Sequence, residues 1–360
     1  MKRFVQFLGA ATLLLSFTQC SEDATTDSAP SVQGSVKLTA SINETRTELS
    51  GNDVLWKSND RLGLFCGTKF VNAPFTTTTG GTTSADFTGD PTDPSGSEAE
   101  VFYAYYPYSA HAVLEGSVVS GLSIPAVQTF ATKSFATELC PMATSGADYS
   151  RLAFRTIGTV LKFQVTGQKN VTKIELTGND GEALAGDYTI DFVGETPEMK
   201  FSGTETTLTL TCSEPVALND ASATEFYFVL PAGIEFTKGI TVKVYTDDNA
   251  EPMVKEYASP LTTRPNKLVT VKAFTYSVPV TSIEEANEAL SKGTSGVTIT
   301  STTDLTAPST LEIPNAFGHG TSTSVEIEQP VSTDLTISEK TTSDNELPET
   351  LSVEMETTAS

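Results

Sequence analysis

Val36-Lys37-Leu38-Thr39-Ala40-Ser41-Ile42 alternates apolar and polar side chains over its whole length. A period of two is the spacing of a strand with one face in a core and the other in water. The signal recurs through residue 276. Val101 to Tyr106 is dense in aromatics. Thr159 to Val165 alternates imperfectly through Val160, Leu161, Phe163 and Val165, as a fully buried strand does. Ile174 and Leu176 precede a Gly178-Asn179-Asp180-Gly181 turn, and Leu208 to Leu210, Phe226 to Leu230, Ile240 to Tyr245 and Leu268 to Phe274 continue the series. Short, frequent strands without periodic helices between them predict an all-β fold of sandwich type. There are too many for one sandwich. A break near residues 145–156 predicts two in tandem, over 35–150 and 151–276.

Residues 277–360 read differently. Ser282-Ile283-Glu284-Glu285 is a capping box, in which the Ser282 hydroxyl accepts from the Glu285 N–H and the Glu285 carboxylate reaches back. Ala286, Glu288, Ala289 and Leu290 continue the helix and Gly293 ends it. Short β-like pieces follow around Val297-Ile299, Leu311-Ile313, Val325-Ile327, Leu335-Ile337 and Leu351-Val353. The segment carries 14 acids against two lysines. It reads as a small acidic β-rich appendix with one capped helix. The pattern fits the capped start of a β-solenoid and fits a small irregular β-domain equally.

The N-terminus begins with Lys2 and Arg3, an apolar run from Phe4 to Phe17, and then Thr18-Gln19-Cys20-Ser21-Glu22-Asp23. The run has the length of a signal-peptide core and is too short for a permanent span. A cysteine at its end, before an abrupt polar switch, resembles a bacterial lipoprotein signal. On that reading residues 1–19 are the signal peptide, Cys20 is the lipidated residue, and 20–34 are a flexible tether. Gln19 departs from the small residue usual before the cysteine, and an ordinary secretory signal with an incidental cysteine is the alternative. Lipidation implies an outer-membrane, lipid-anchored protein, and Ser21-Glu22-Asp23 resembles a surface-export signal.

Charge and chemistry narrow the function. The chain has 22 bases against 45 acids, a net of −23. Such a balance repels nucleic acid, which is excluded as a partner. Beyond Cys20 only Cys66, Cys140 and Cys212 remain, too few for a disulfide framework and without metal-ligand spacing. His111 and His319 are the two histidines, and neither has a nucleophile or carboxylate at a telling spacing. No HExxH, GxSxG, phosphate-loop or GxGxxG motif is present. Asp247-Asp248-Asn249 lacks the rest of a calcium loop and reads as a hairpin turn. No enzyme activity, cofactor or metal is expected.

Four segments together resemble the fimbrillin family, the pilins and pilus accessory lipoproteins of Bacteroidetes. They are Val54-Leu55-Trp56-Lys57-Ser58-Asn59-Asp60-Arg61-Leu62-Gly63-Leu64-Phe65, Phe102-Tyr103-Ala104-Tyr105-Tyr106-Pro107-Tyr108-Ser109, Leu122-Ser123-Ile124-Pro125-Ala126-Val127-Gln128-Thr129, and Phe226-Tyr227-Phe228-Val229-Leu230-Pro231-Ala232-Gly233. Their order, behind a lipoprotein-like signal, carries the resemblance, which covers about 36–276. On physical grounds Asn59-Asp60 marks a turn and Trp56, the one tryptophan, anchors a core beside it.

The resemblance implies two tandem transthyretin-like β-sandwiches. It also implies a subunit, tip or anchor of a surface pilus that supports cell adhesion. In that family an Arg-directed protease removes the first strand, and a strand from the next subunit fills the groove by β-augmentation. Val36–Ile42 matches the removable strand. Arg46 resembles the maturation site, and on its residues alone it is a loop arginine like Arg61. Leu351, Val353 and Met355 alternate with polar residues, as a donor strand or an ordinary last strand would. The implied partners are other pilus subunits, the outer membrane through lipid, and host or bacterial surface ligands. The alternative is a monomeric surface lipoprotein that binds glycan on a platform of Tyr105, Tyr106 and Tyr108.

Overall fold

The computed structural model describes residues 35–42, 54–136, 139–248, 251–291 and 296–299, together with the backbone of strands at 309–314, 323–327, 335–340 and 351–355. The fold is all-β with one helix among these residues. The first strands are β1 (Val36–Ile42), β2 (Arg61–Cys66), β3 (Phe70–Thr77), β4 (Ser84–Gly89), β5 (Phe102–Tyr106), β6 (Val113–Glu115), β7 (Val118–Ile124), β8 (Val127–Thr129), β9 (Met142–Gly146) and β10 (Arg151–Thr156). Seven of them close into a barrel in the order β1-β10-β9-β5-β2-β3-β4. β1 makes the closure, antiparallel to β4 on one side and parallel to β10 on the other. Inside lie Trp56, Phe70, Phe75, Phe87, Tyr106 and Phe154. Tight packing shows at Gly63, where a Cβ would lie 2.3 Å from the Tyr105 ring.

The next strands are β11 (Thr159–Thr166), β12 (Asn170–Gly178), β13 (Gly186–Asp191), β14 (Glu198–Phe201), β15 (Thr207–Ala217), β16 (Thr224–Leu230), β17 (Glu235–Phe236), β18 (Ile240–Thr246), β19 (Met253–Tyr257), β20 (Leu261–Thr262), β21 (Lys267–Thr270) and β22 (Phe274–Thr275). Two sheets face each other as a sandwich: β16-β11-β21, with β22 also on β11, and β19-β18-β12-β15-β8. Leu161, Phe163, Phe226 and Phe228 from one meet Ile174, Leu176, Leu210 and Val242 from the other. A third sheet, β14-β13-β7-β6, buries Leu122, Tyr188 and Ile190 with Phe65, Tyr105 and Ala143 from the barrel strands.

Strand pairing crosses the expected division in both directions. The boundary at 150/151 would cut the barrel, because β10 pairs with β1 and β9. Conversely, β7 and β8, drawn from 35–150, pair with β13 and β15. Long-range pairing, invisible to local periodicity, sets the division. In the N-terminal body β1 joins β4 to β10, so its strands close on themselves.

The sandwich and barrel share an element. Phe226 to Leu230 is buried throughout. Phe226, Phe228 and Leu230 face the sandwich core, whereas Tyr227 and Val229 join the barrel core with Val160. β16 is an edge strand, and its free backbone groups at Val229 need partners in a dry setting. Gln128 supplies them. Its amide Nε2 donates to the Val229 carbonyl at 2.7 Å, and its Oε1 accepts from the Val229 N–H at 2.9 Å.

At the C-terminus come β23 (Val278–Val280), α1 (Ile283–Ser291), β24 (Gly296–Ile299), β25 (Ser309–Pro314), β26 (Thr323–Ile327), β27 (Leu335–Lys340) and β28 (Leu351–Met355). Ser282 Oγ accepts from the Glu285 N–H at 3.1 Å, and the Glu285 carboxylate takes the Thr281 N–H and hydroxyl. Ile283, Ala286 and Leu290 form its buried stripe. Gly293, the expected helix stop, lies outside the described residues. The strands stack in parallel as β23-β24-β26-β28 and β25-β27, with Val297, Val325 and Val353 in one row. Parallel in-register stacking is the solenoid arrangement of the two that the sequence left open.

Replacing Gln128 by Leu keeps the volume and strands two buried backbone groups. The expected loss is about 2–6 kcal/mol, read as a lower midpoint in urea unfolding; an unchanged midpoint would mean β16 needs no side-chain partner.

Candidate functional site

Of the features expected to carry function, β1 is the one whose surroundings the structure describes in full. β1 buries Leu38, Ala40 and Ile42 and turns Lys37, Thr39 and Ser41 outward. In register, Leu38 pairs with Phe87 and Ala40 with Ala85 on β4, while Ala40 and Ile42 meet Leu152 and Phe154 on β10. Burying side chains such as Leu38 and Ile42 stabilises by about 1.5–3 kcal/mol each.

Trp56 forms the floor. It is 1% exposed and meets Phe87, Tyr106 and Phe154 edge-on at 5.0, 5.3 and 5.7 Å between centroids. Its indole N–H donates to the Ala40 carbonyl at 3.1 Å. The bond therefore ties the floor to β1, and without β1 this buried donor loses its partner. Outside, Asp86 on β4 takes Lys37 at 2.8 Å and the Thr39 hydroxyl at 2.9 Å. These two contacts, Lys37 first, hold the Asp86 carboxyl below its ordinary range.

The tyrosine segment does not form a platform. Tyr105 and Tyr106 are buried. The Tyr105 hydroxyl lies 2.6 Å from Asn72 Oδ1 and binds the Ser109 backbone, and burial pushes the phenol up. The Tyr106 hydroxyl donates to Asp60 Oδ1 at 2.9 Å, inside the turn at Asn59-Asp60. Tyr108 is half-buried with the Arg61 guanidinium 4.4 Å above its ring. The glycan reading thereby loses its main support.

Cys20 and Arg46 lie outside the described residues. Leu351, Val353 and Met355 belong to β28, which pairs in parallel with β26 at the end of its sheet. The structure does not bring this strand beside β1. Cys66, Cys140 and Cys212 form no disulfide with one another; burial raises the Cys66 thiol and takes that of Cys212 to about 11, so neither of these two is a reactive thiolate. Among the described residues no group of acids, histidines and cysteines is placed to hold a metal. No described helix is long and apolar enough to cross a membrane. The Ala40 carbonyl and Asp86 were missed from sequence, because their roles depend on strand register.

No protein-family model matches the chain, and no curated protein matches it. Among solved structures, similarity is found to a candidate cell adhesion protein from Bacteroides uniformis, at 14% identity over 68% of this chain and 94% of that one, with a TM-score of 0.39. A candidate cell adhesion protein from Bacteroides fragilis matches at 13% identity over 66% and 90%, with a TM-score of 0.35. The tip fimbrial protein Mfa3 from Porphyromonas gingivalis matches at 12% identity over 64% and 83%, with a TM-score of 0.27. Likeness of this extent carries no argument about function.

Trp56→Phe removes the bond to Ala40, and amide exchange in β1 is expected to quicken by about tenfold while β11 stays protected. Equal acceleration in both would point to global destabilisation instead. Acid should act on the same strand. A carboxylate with a depressed folded pKa stabilises above its unfolded value, ordinarily 3.8 for Asp86, and that contribution disappears as pH falls through the lower folded value. The expected step in β1 protection is small, because Lys37 and Asp86 are exposed; it should be absent from Asp86→Asn.

Proposed function

We propose that this chain is a fimbrillin-like surface lipoprotein, a structural subunit, tip or anchor of a pilus that supports adhesion and has no catalytic role. It is lipidated at Cys20, exported to the outer membrane, and assembled by exchange of β1 for a strand of another subunit. One observation carries the reading: β1, the first described strand, completes the barrel. It pairs with β4 and β10, remote in sequence, and plugs the core with alternate side chains. Loss of β1 leaves two adjacent unpaired strand edges over an apolar floor, the form of site that captures an extended strand. Exchange for a strand of like pattern restores the backbone bonds and buried area, so it proceeds at little net cost.

Arg46 follows β1 within four residues and is the cut site this reading requires. Treatment of the full chain with an Arg-specific protease should give a product starting at Thr47, a change in the emission of the single tryptophan, and a ladder of polymers. Arg46→Ala should remain monomeric with β1 in place. A chain cut after Arg46 that stays monomeric would overturn strand exchange.

A further inference from the structure

We propose that two copies of this chain associate edge to edge through β28, each copy keeping the strand in its own sheet. The free edge of β28 pairs antiparallel with the same edge of the partner, Val353 opposite Val353 across a twofold axis. The contact belongs to the uncut chain and is independent of what happens to β1.

The four-stranded sheet β23-β24-β26-β28 has two edges of different character. At one edge β23 continues the sandwich. Val278 and Val280 lie in the sandwich core with Ile283, Ala286 and Leu290 of α1. The Ser277 N–H meets the Met253 sulfur of β19 at 3.3 Å, and the Ser277 hydroxyl bonds that of Thr298 on β24. Pro279, in the middle of β23, has no N–H to offer a further strand. That edge is closed. At the other edge β28 pairs with β26 and with no other strand among the described residues. Its sequence, Leu351-Ser352-Val353-Glu354-Met355, holds neither the proline nor the lysine that commonly blunts an edge. A row of backbone donors and acceptors is left open there.

The order of residues in β28 fits an antiparallel copy of itself. Leu351, Val353 and Met355 share one face of the strand, and Ser352 and Glu354 share the other. With Val353 opposite Val353, Leu351 stands opposite the partner's Met355, and Ser352 stands opposite the partner's Glu354. Every position of the strand is then matched, apolar to apolar or hydroxyl to carboxylate. A slide of one residue opposes apolar to polar positions. A slide of two either sets Glu354 against itself or leaves Glu354 and Met355 without a counterpart in the strand.

Parallel addition fares worse. β28 already lies parallel on β26 with Glu354 in register with Glu326. A further strand in that register would set a second Glu354 beside the first, and like charges opposite one another on neighbouring strands destabilise a sheet. Head-to-tail addition would need the edge of β23, which the sandwich and Pro279 close. A net charge of −23 on each copy opposes association in general, so a contact between copies needs a register in which the glutamates avoid one another. The twofold pairing provides it, satisfies both open edges and closes on itself.

The test is the mass of the full, uncut chain by sedimentation equilibrium over a concentration series. The parent should pass from the mass of one chain to that of two and stop there. Ser352→Glu changes a position whose own neighbour on β26 is neutral Ser324. It sets two like-charge pairs across the axis and should weaken the dimer about tenfold. Adding Glu354→Lys makes both pairs opposite in charge and should restore it. A parent that stays monomeric throughout, or that grows beyond two chains, would overturn the proposal. So would a Ser352→Glu variant that dimerises as tightly as the parent, or one that Glu354→Lys fails to rescue.

Discussion

The structure depends on one strand buried on both faces. Between Phe226 and Leu230, successive side chains serve two different cores, the sandwich on one side and the barrel on the other. That demand explains an unbroken apolar run where a half-buried strand would alternate. It creates a second demand at the edge, where a dry backbone cannot be left to water. Gln128 meets it because an amide side chain offers one donor and one acceptor, the same pair that a neighbouring strand would offer. The chain must leave the barrel, place β8 at the rim of the sandwich, and return for β9 and β10. The interleaving of the two halves follows from this detour.

Much of the fold was legible locally. The alternation in β1, the aromatic strand at 102–106, the turn at Asn59-Asp60 and the capped helix at 283–291 each depend on neighbours within a few residues, and each is found where the pattern puts it. The domain boundary was not legible, because β10 looks like any half-buried strand until β1 is laid beside it, over 100 residues away. The candidate site divides similarly. Val36–Ile42 could be singled out by its period, and Trp56 by being the only one of its kind. The bond from Trp56 to Ala40 and the grip of Asp86 on Lys37 and Thr39 required the register. The tyrosines misled for a physical reason: a Tyr-rich strand in a small barrel buries its rings and sends its hydroxyls to internal partners, here Asn72, Ser109 and Asp60.

β1 combines two properties that ordinarily conflict. It is central to the barrel, with neighbours on both sides, apolar plugs below and an ion pair above. Nothing covalent or metallic beyond the chain itself holds it among the described residues, and its contacts are of kinds that another strand reproduces: ladder bonds, alternate apolar side chains and one carbonyl for Trp56. An element of that kind is firmly held yet generic. Ladder bonds and greasy pockets accept many strands, so they supply affinity with little choice. The outer face differs: there Lys37 and Thr39 meet Asp86 through side chains particular to these positions, so it is the face on which β1 is distinguished from another strand of the same apolar pattern.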